Sequence, residues 1–427
     1  MDKCVSISEE KDPIGKRAVH SVAKLAGGTA VSRLLVLMAA PLLTRIYTPD
    51  DFGVLAVYGS IVNIAVVLSS LRFEFAIPLP EQDDIAANLM AVAFVVLLSW
   101  TTLIGFGTLV FDEQLLDAIG QPDLVAYLWI FPVGILLSGS YNILTYWATR
   151  KKAFSQIART NLTQGAGMTL SQLILGLSSA GPLGLLIGQI IGSSGGSLTL
   201  AKLTKGHLDQ ISVQKMRSAI RKYYQFPLFS SPASLLNAAV SNLPTLFLSA
   251  VYGLRTAGLY MLVQKVIGIP MTLIGTAVAK VYLSEAPKLL RENPHKLRRF
   301  FLMLSSRLLI GAIIPGVMVV VGGPWFFSFA FGSEWGPAGT FAQILSLTFV
   351  SQFVTSPLSH TLIVTGKQSW QLCWDAGRFL ALFLGFSIAY AASWSPSETL
   401  VVYSAIMFAG YALLFFMSHL SIQRARS

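Results

Sequence analysis

Five ionisable side chains interrupt the long apolar runs of this sequence: Arg33, Lys265, Arg307, Asp375 and Arg378. Their chemistry is recognition rather than bond making. A charge set in an apolar run faces a polar interior or a partner, because burying it alone is expensive. Arg33 lies about 13 Å of helix beyond Lys24, too deep for easy contact with a bilayer surface. Lys265 follows Gln264 in another apolar run. Two unmatched cations of this kind suit an anionic ligand, whose desolvation needs positive charge or oriented donors. Tyr58, Asn63, Asn242 and Gln264 add hydroxyl and amide groups able to hold a polar ligand. Asp375 and Arg378 are spaced i,i+3 and are expected to pair on one helix. The sharper alternative makes Asp375 a protonatable, ion-coupling carboxylate. Arg307 is close enough to Arg299 to reach the interface.

No constellation for covalent chemistry accompanies them. The five histidines are scattered, and no Gly-rich phosphate loop, metal-ligand spacing or Ser/His/Asp set occurs. The two cysteines, Cys4 and Cys373, fall in a polar tail and an apolar run, so no disulfide is expected. The chain is therefore expected to be no enzyme, with no catalytic residue, metal or cofactor.

The elements that carry these residues follow from composition. The chain has 427 residues, 54% hydrophobic and only 12% charged, with mean hydropathy +0.64. Soluble domains carry about twice that charge fraction. The apolar blocks are long enough to cross a bilayer as helices. They predict an all-α, polytopic membrane protein with about twelve spans, at 23–46, 53–71, 86–110, 125–148, 161–179, 183–201, 226–251, 257–282, 301–321, 339–363, 370–391 and 399–421. The polar first residues predict no cleaved leader. Most of the 31 Lys and Arg fall in "RKKAFSQIAR" (150–159), 202–224, 288–299 and the two tails. The positive-inside rule then places both termini in the cytoplasm, at the cell inner membrane. It also explains the net charge of +11 through lipid headgroups, with no nucleic-acid partner.

The pause "TRIYTPDD" between the first two spans reads as a hairpin. Thr48 caps the second helix, Pro49 starts it and Asp51 completes a capping box. "AVSRL" (30–34) returns as "AVSNL" (239–243), and "FGVLAVYGSIV" (52–62) parallels "AGLYMLVQKVI" (257–267). The chain thus divides into a tail (1–22), a six-helix lobe (23–201), a basic linker (202–225), a second six-helix lobe (226–421) and a tail (422–427), with a central cavity between the lobes. In this repeat Arg33 aligns with Asn242, and Lys265 with Ser60. Glycines 184, 188, 192 and 196 predict close helix packing. "GGPWFFSFAFGSEWGP" (322–337) reads as a surface helix with Trp325 and Trp335 as interfacial anchors.

"LLTRIYTPDDFGVLAVYGSI" followed by "SSLRFEFAIPLPEQDDIAANL" (69–89) resembles the start of bacterial oligosaccharide flippases. These are the O-antigen and polysaccharide transporters of the multidrug/oligosaccharidyl-lipid/polysaccharide exporter superfamily. The resemblance rests on Arg45, Tyr47, Pro49, Phe52 and Gly53, then Arg72, Glu74, Ala76 and Ile77, and continues through "YWATRKKAF" (146–154), "GLRTAGLYML" (253–262) and "FGSEWGPAG" (331–339). It implies movement of an undecaprenyl-diphosphate-linked oligosaccharide by alternating access of two lobes, with the polyprenyl tail staying in lipid. It also implies a polyprenyl-diphosphate-linked oligosaccharide, the bilayer and other polysaccharide assembly proteins as partners. Cation-coupled drug exporters of this fold often carry an acid in the first span. Here that span has Arg33 and no acid, which favours an anionic lipid-linked substrate. The alternatives are a cation-coupled exporter of drugs or small metabolites, and a membrane polysaccharide polymerase or ligase.

Overall fold

The computed structural model describes residues 13–110 and 122–424. Cys4, the first part of the N-terminal tail, residues 111–121 and the last three residues lie outside the described residues. Helices occupy nearly all the rest, and no strand occurs among the described residues. The first half holds α1 (Pro13–Ile46), α2 (Pro49–Leu68), α3 (Asp83–Val110), α4 (Ile130–Arg150), α5 (Phe154–Leu177) and α6 (Pro182–Ser194), which resumes as Ser197–Ala201. A linker helix, α7 (Val213–Lys222), leads to the second half. There, α8 (Ser231–Tyr252), α9 (Leu254–Val263), α10 (Ile269–Glu292), α11 (Pro294–Phe331), α12 (Gly336–Thr355), α13 (Gln368–Ala391) and α14 (Pro396–Arg424) follow. A π-turn, Gln264–Gly268, joins α9 to α10 into one span.

Eleven of the helical segments are long and apolar enough to cross a membrane. The predicted fifth span is present as α5 but is more polar than the others. Some of its polar groups bond inside the first half. Asn161 donates to Thr29 Oγ1 (2.8 Å), Gln172 donates to the Leu185 carbonyl (3.1 Å), and Tyr47 donates to the Gln172 carbonyl (2.7 Å). Such bonds supply cohesion that burial of apolar surface cannot supply between helices in lipid. The predicted glycine ladder lies on the α5 side of α6, with Gly188 against Gln172 and Gly192 against Met168.

The hairpin forms as its residues dictate. The Thr48 amide donates to Asp51 Oδ2 (2.9 Å) and the Asp51 amide to Thr48 Oγ1 (3.2 Å). At the other end of the first half, Arg150 closes the turn between α2 and α3. Its Nε and Nη2 reach Asp83 Oδ1 at 2.9 and 2.8 Å, and it also binds the carbonyls of Pro80 and Glu81. Lys151 meets the other Asp83 oxygen at 2.6 Å.

The linker is fastened to this half. Asn88 is fully buried; it donates to the Gln210 carbonyl (3.0 Å) and accepts from the Ser212 amide (2.9 Å). Lys215 pairs with Asp84 at 2.9 Å. The chain then passes through a π-turn, Phe226–Ser230, into α8.

One sequence expectation fails here. Residues 322–331 are no surface helix but the last turns of α11, which runs 38 residues through Pro315 and Pro324. Proline is tolerated inside such helices because neighbouring groups re-satisfy the freed carbonyls. Trp335 is not an interfacial anchor either. It is 1% exposed, its ring meets Phe52 edge-on at 4.9 Å, and its Nε1 donates to the Thr44 carbonyl (3.1 Å).

Candidate functional site

The two halves meet most tightly around the α1–α2 hairpin. A Cβ at Gly53 would fall on the Leu254 carbonyl, and one at Gly258 on the Pro49 carbonyl, so only glycine permits this approach of α2 and α9. Arg45 donates to the Phe329 carbonyl (3.2 Å), and Asp50 faces Arg255 at 3.7 Å. Burial pushes the Tyr47 phenol up to about 12, with Asp51 adding to the effect, so it remains a neutral donor beside this seam. Toward the linker end, α2 opens. Asn63 is exposed, and one turn earlier a Cβ at Gly59 would meet open space.

The two cations cross the seam in opposite directions. Arg33, on α1, donates from Nη1 to Thr272 Oγ1 of α10 at 3.2 Å. Lys265, in the π-turn of the second half, lies over the ring of Phe52 on α2 at 5.2 Å. Among the described residues, neither has a carboxylate within ion-pair distance.

Arg33 thereby stands at the wall of a polar cavity inside the second half. One part, about 390 Å³, is lined by Gln264, Thr272, Thr276, Gln352, Ser356 and His360 together with apolar groups that include Ile269, Met271, Phe349 and Phe353. A second part, about 560 Å³, shares Gln264, Gln352 and Ser356 and adds Asn237, Ser241, Gln371, Asp375, Arg378, Trp374, Tyr403 and Tyr411. Asp375 pairs with Arg378 at 3.2 Å and accepts from Gln371 at 3.4 Å. The Arg378 guanidinium lies 4.3 Å over the Trp374 ring, and Trp374 donates to the Gly410 carbonyl (2.6 Å). Amides, hydroxyls, aromatic faces and a neutralised ion pair make a surface for a polar, hydroxyl-rich ligand.

The expected residues divide accordingly. Gln264 faces the cavity, with its amide donating to the Tyr260 hydroxyl at 2.5 Å. Asp375 faces it as one member of an ion pair. Arg33 touches its wall. Lys265 sits in the seam. Asn242 is half-buried and spends its amide on the Ala238 carbonyl of its own helix (2.8 Å). Tyr58 does not reach the cavity. It is 2% exposed and turned into the first half, against Phe131 at 5.2 Å and against Gly134, where a Cβ would strike its hydroxyl.

Sequence reasoning passed over Asn237, Ser241, Gln352, Gln371, Trp374, Tyr403 and Tyr411. A signal was available. Ser234, Asn237 and Ser241 on α8, Gln352 on α12 with Ser356 just past its end, and Gln371, Asp375 and Arg378 on α13 each recur at three or four residues, so each set forms one polar stripe on an apolar segment.

Residues 42–340 match the profile of a family described as polysaccharide biosynthesis protein. The chain belongs to that family. The chain is similar to the teichuronic acid biosynthesis protein TuaB of Bacillus subtilis (strain 168), 22% identical over 38% of this chain and 33% of that one. The succinoglycan biosynthesis transport protein ExoT of Rhizobium meliloti (strain 1021) is 22% identical over 76% of this chain and 64% of that one. The chain thus spans about one third and just under two thirds of those relatives' lengths. Among solved structures, the lipid II flippase MurJ in an inward closed conformation superposes with TM-score 0.72 at 15% identity, over 93% of this chain and 89% of that one. An inward-facing multidrug resistance MATE transporter of the MOP superfamily gives 0.70 at 13% identity, over 93% and 99%. This family member is therefore a multi-pass helical membrane protein with the two-lobed fold of that superfamily.

Proposed function

We propose that the protein flips an undecaprenyl-diphosphate-linked oligosaccharide, such as an O-antigen or other surface-polysaccharide repeat unit, across the cytoplasmic membrane by alternating access. It does so without enzymatic chemistry. The observation that carries this reading is the polar cavity of the second half with Arg33 of the first half at its wall. Arg33 is the cation that meets the diphosphate, and the amides and aromatic rings around Asp375 and Arg378 hold the glycan. Lys265 leaves the Phe52 ring and joins the diphosphate when the seam parts. Asn63, on the open face of α2, completes the opposite wall. The basic linker and both termini face the cytoplasm, so the sealed hairpin end faces outward and the cavity loads from within. Because Asp375 is already neutralised by Arg378, the arrangement supports an anionic lipid-linked substrate over a cationic drug.

The test is flipping of a fluorescent polyprenyl-diphosphate oligosaccharide in vesicles containing the purified protein. Arg33→Ala is expected to abolish flipping while leaving the amount and melting of the protein unchanged. Arg33→Lys is expected to restore part of it, since the charge returns without the planar fork. Full activity of Arg33→Ala would overturn the assignment.

A further inference from the structure

The cavity does not end at its amides. Met271, Phe349 and Phe353, which close one side of it, also wall a groove of about 280 Å³ between α10, α11 and α12. A second depression, about 570 Å³, continues this groove along α11 to Trp325 and Phe326 and shares Val266, Ile267 and Pro315 with it. Among the described residues, Ser346 is the one polar side chain in either lining. The π-turn stands where the two surfaces meet: Gln264 faces the cavity, while Val266 and Ile267 face the groove. Such turns redirect side chains within a helix and are frequent at functional sites. The groove is wide because small residues leave it open. A Cβ at Gly311 or Gly322 would meet nothing within 4 Å.

A purely polar ligand would leave the groove empty. A bilayer phospholipid, with its headgroup at the membrane surface, would leave the amide end empty. One molecule fits both ends: an isoprenoid chain joined to a polar head carried at membrane depth. We propose that this groove holds the isoprenoid units nearest the diphosphate, so that part of the tail is bound by protein rather than left in lipid. This rests on the function proposed above.

The experiment uses the full-length protein in nanodiscs and three probes: inorganic diphosphate, geranylgeranyl diphosphate and a phosphatidylglycerol of equal chain length. Affinities are measured by calorimetry for the native protein, Gly311→Trp, Gly322→Trp and a control, Gly107→Trp, placed on α3 where a Cβ also meets open space. Both groove variants are expected to weaken geranylgeranyl diphosphate by roughly tenfold, the loss of about two buried methylenes' worth of contact. The control should bind like the native protein, and inorganic diphosphate should be unaffected throughout. Melting curves verify folding, and Gly311→Leu replaces any variant that melts early. Native-like binding of the prenyl probe to both groove variants overturns the inference. So does phosphatidylglycerol that occupies the groove and is not displaced by the prenyl probe. A native protein that binds inorganic diphosphate, with no gain from the prenyl chain, overturns the groove and leaves the head site standing. A native protein that binds neither diphosphate overturns the proposed function itself.

Discussion

The two halves repeat one another in sequence but not in packing. In α2, most positions are buried and Ser60 is 4% exposed. Its counterpart, the span α9–α10, is broken by a π-turn, and the residue aligned with Ser60 is the cation Lys265. Cavity walls at 264–360, 233–414 and 266–353 all come from the second half. The first half is instead cross-braced at Arg150, Asn88 and Tyr47. The division teaches that a duplicated bundle can specialise: one copy stays solid and sets Arg33 against the other's cavity wall, and the other hollows out.

The comparison breaks most easily at the seam, where the largest effect is expected. Gly258→Leu drives a side chain into the Pro49 carbonyl, a clash with backbone that no rotamer relieves. Overpacking of this kind costs about 1–3 kcal/mol in ordinary cores. The variant should lose flipping, and a short bismaleimide should no longer join cysteines placed at Asp50 and Arg255. Persistent cross-linking would mean that α2 and α9 stay together despite the added side chain.

A paired test of the two halves comes next in size. Arg150→Ala removes the brace from the solid half and leaves Asp83 to Lys151 and His207. It should lower stability by about 2–3 kcal/mol and reduce the amount of protein, while each surviving molecule flips normally. Asp375→Ala in the hollow half should do the reverse, with normal amounts of protein and flipping reduced by roughly tenfold or more. Equal effects of the two substitutions on flipping per molecule would erase the functional division of the halves. The smallest effect sharpens the same contrast. Tyr58→Phe keeps the ring against Phe131 and should leave flipping within about twofold and stability within about 1 kcal/mol.

The parts of the molecule legible in the sequence were those set by local spacing. Thr48 and Asp51 make a capping box wherever they stand three apart before a helix. Asp375 and Arg378 meet because i,i+3 residues share a helix face. The facing of whole helices was not legible. α2 is apolar around its circumference, so no amphipathic stripe tells which side Tyr58 leaves, and the choice falls to Gly134 on another helix. Trp335 misled for a related reason. Tryptophan near a predicted span end suits an interface, but its burial depends on Phe52 and Thr44, almost three hundred positions away in sequence. The cavity was legible only in part, because its polar stripes are split among α8, α12 and α13, and each alone looks like ordinary interhelical bonding.

The clamp on the linker has a mechanical consequence. Asn88 and Asp84 fix the segment as far as Lys215, and α7 carries it rigidly to Lys222. The compliant tether between the halves is therefore the few residues from Tyr223 through the π-turn at Phe226–Ser230, not the whole basic loop. A tether this short holds each half at high effective concentration for the other. In the proposed alternating access, closing the seam would be a one-body event, with no search through orientations. The same articulation point would guide every swing, returning Gly53 to Leu254 and Gly258 to Pro49 in unchanged register.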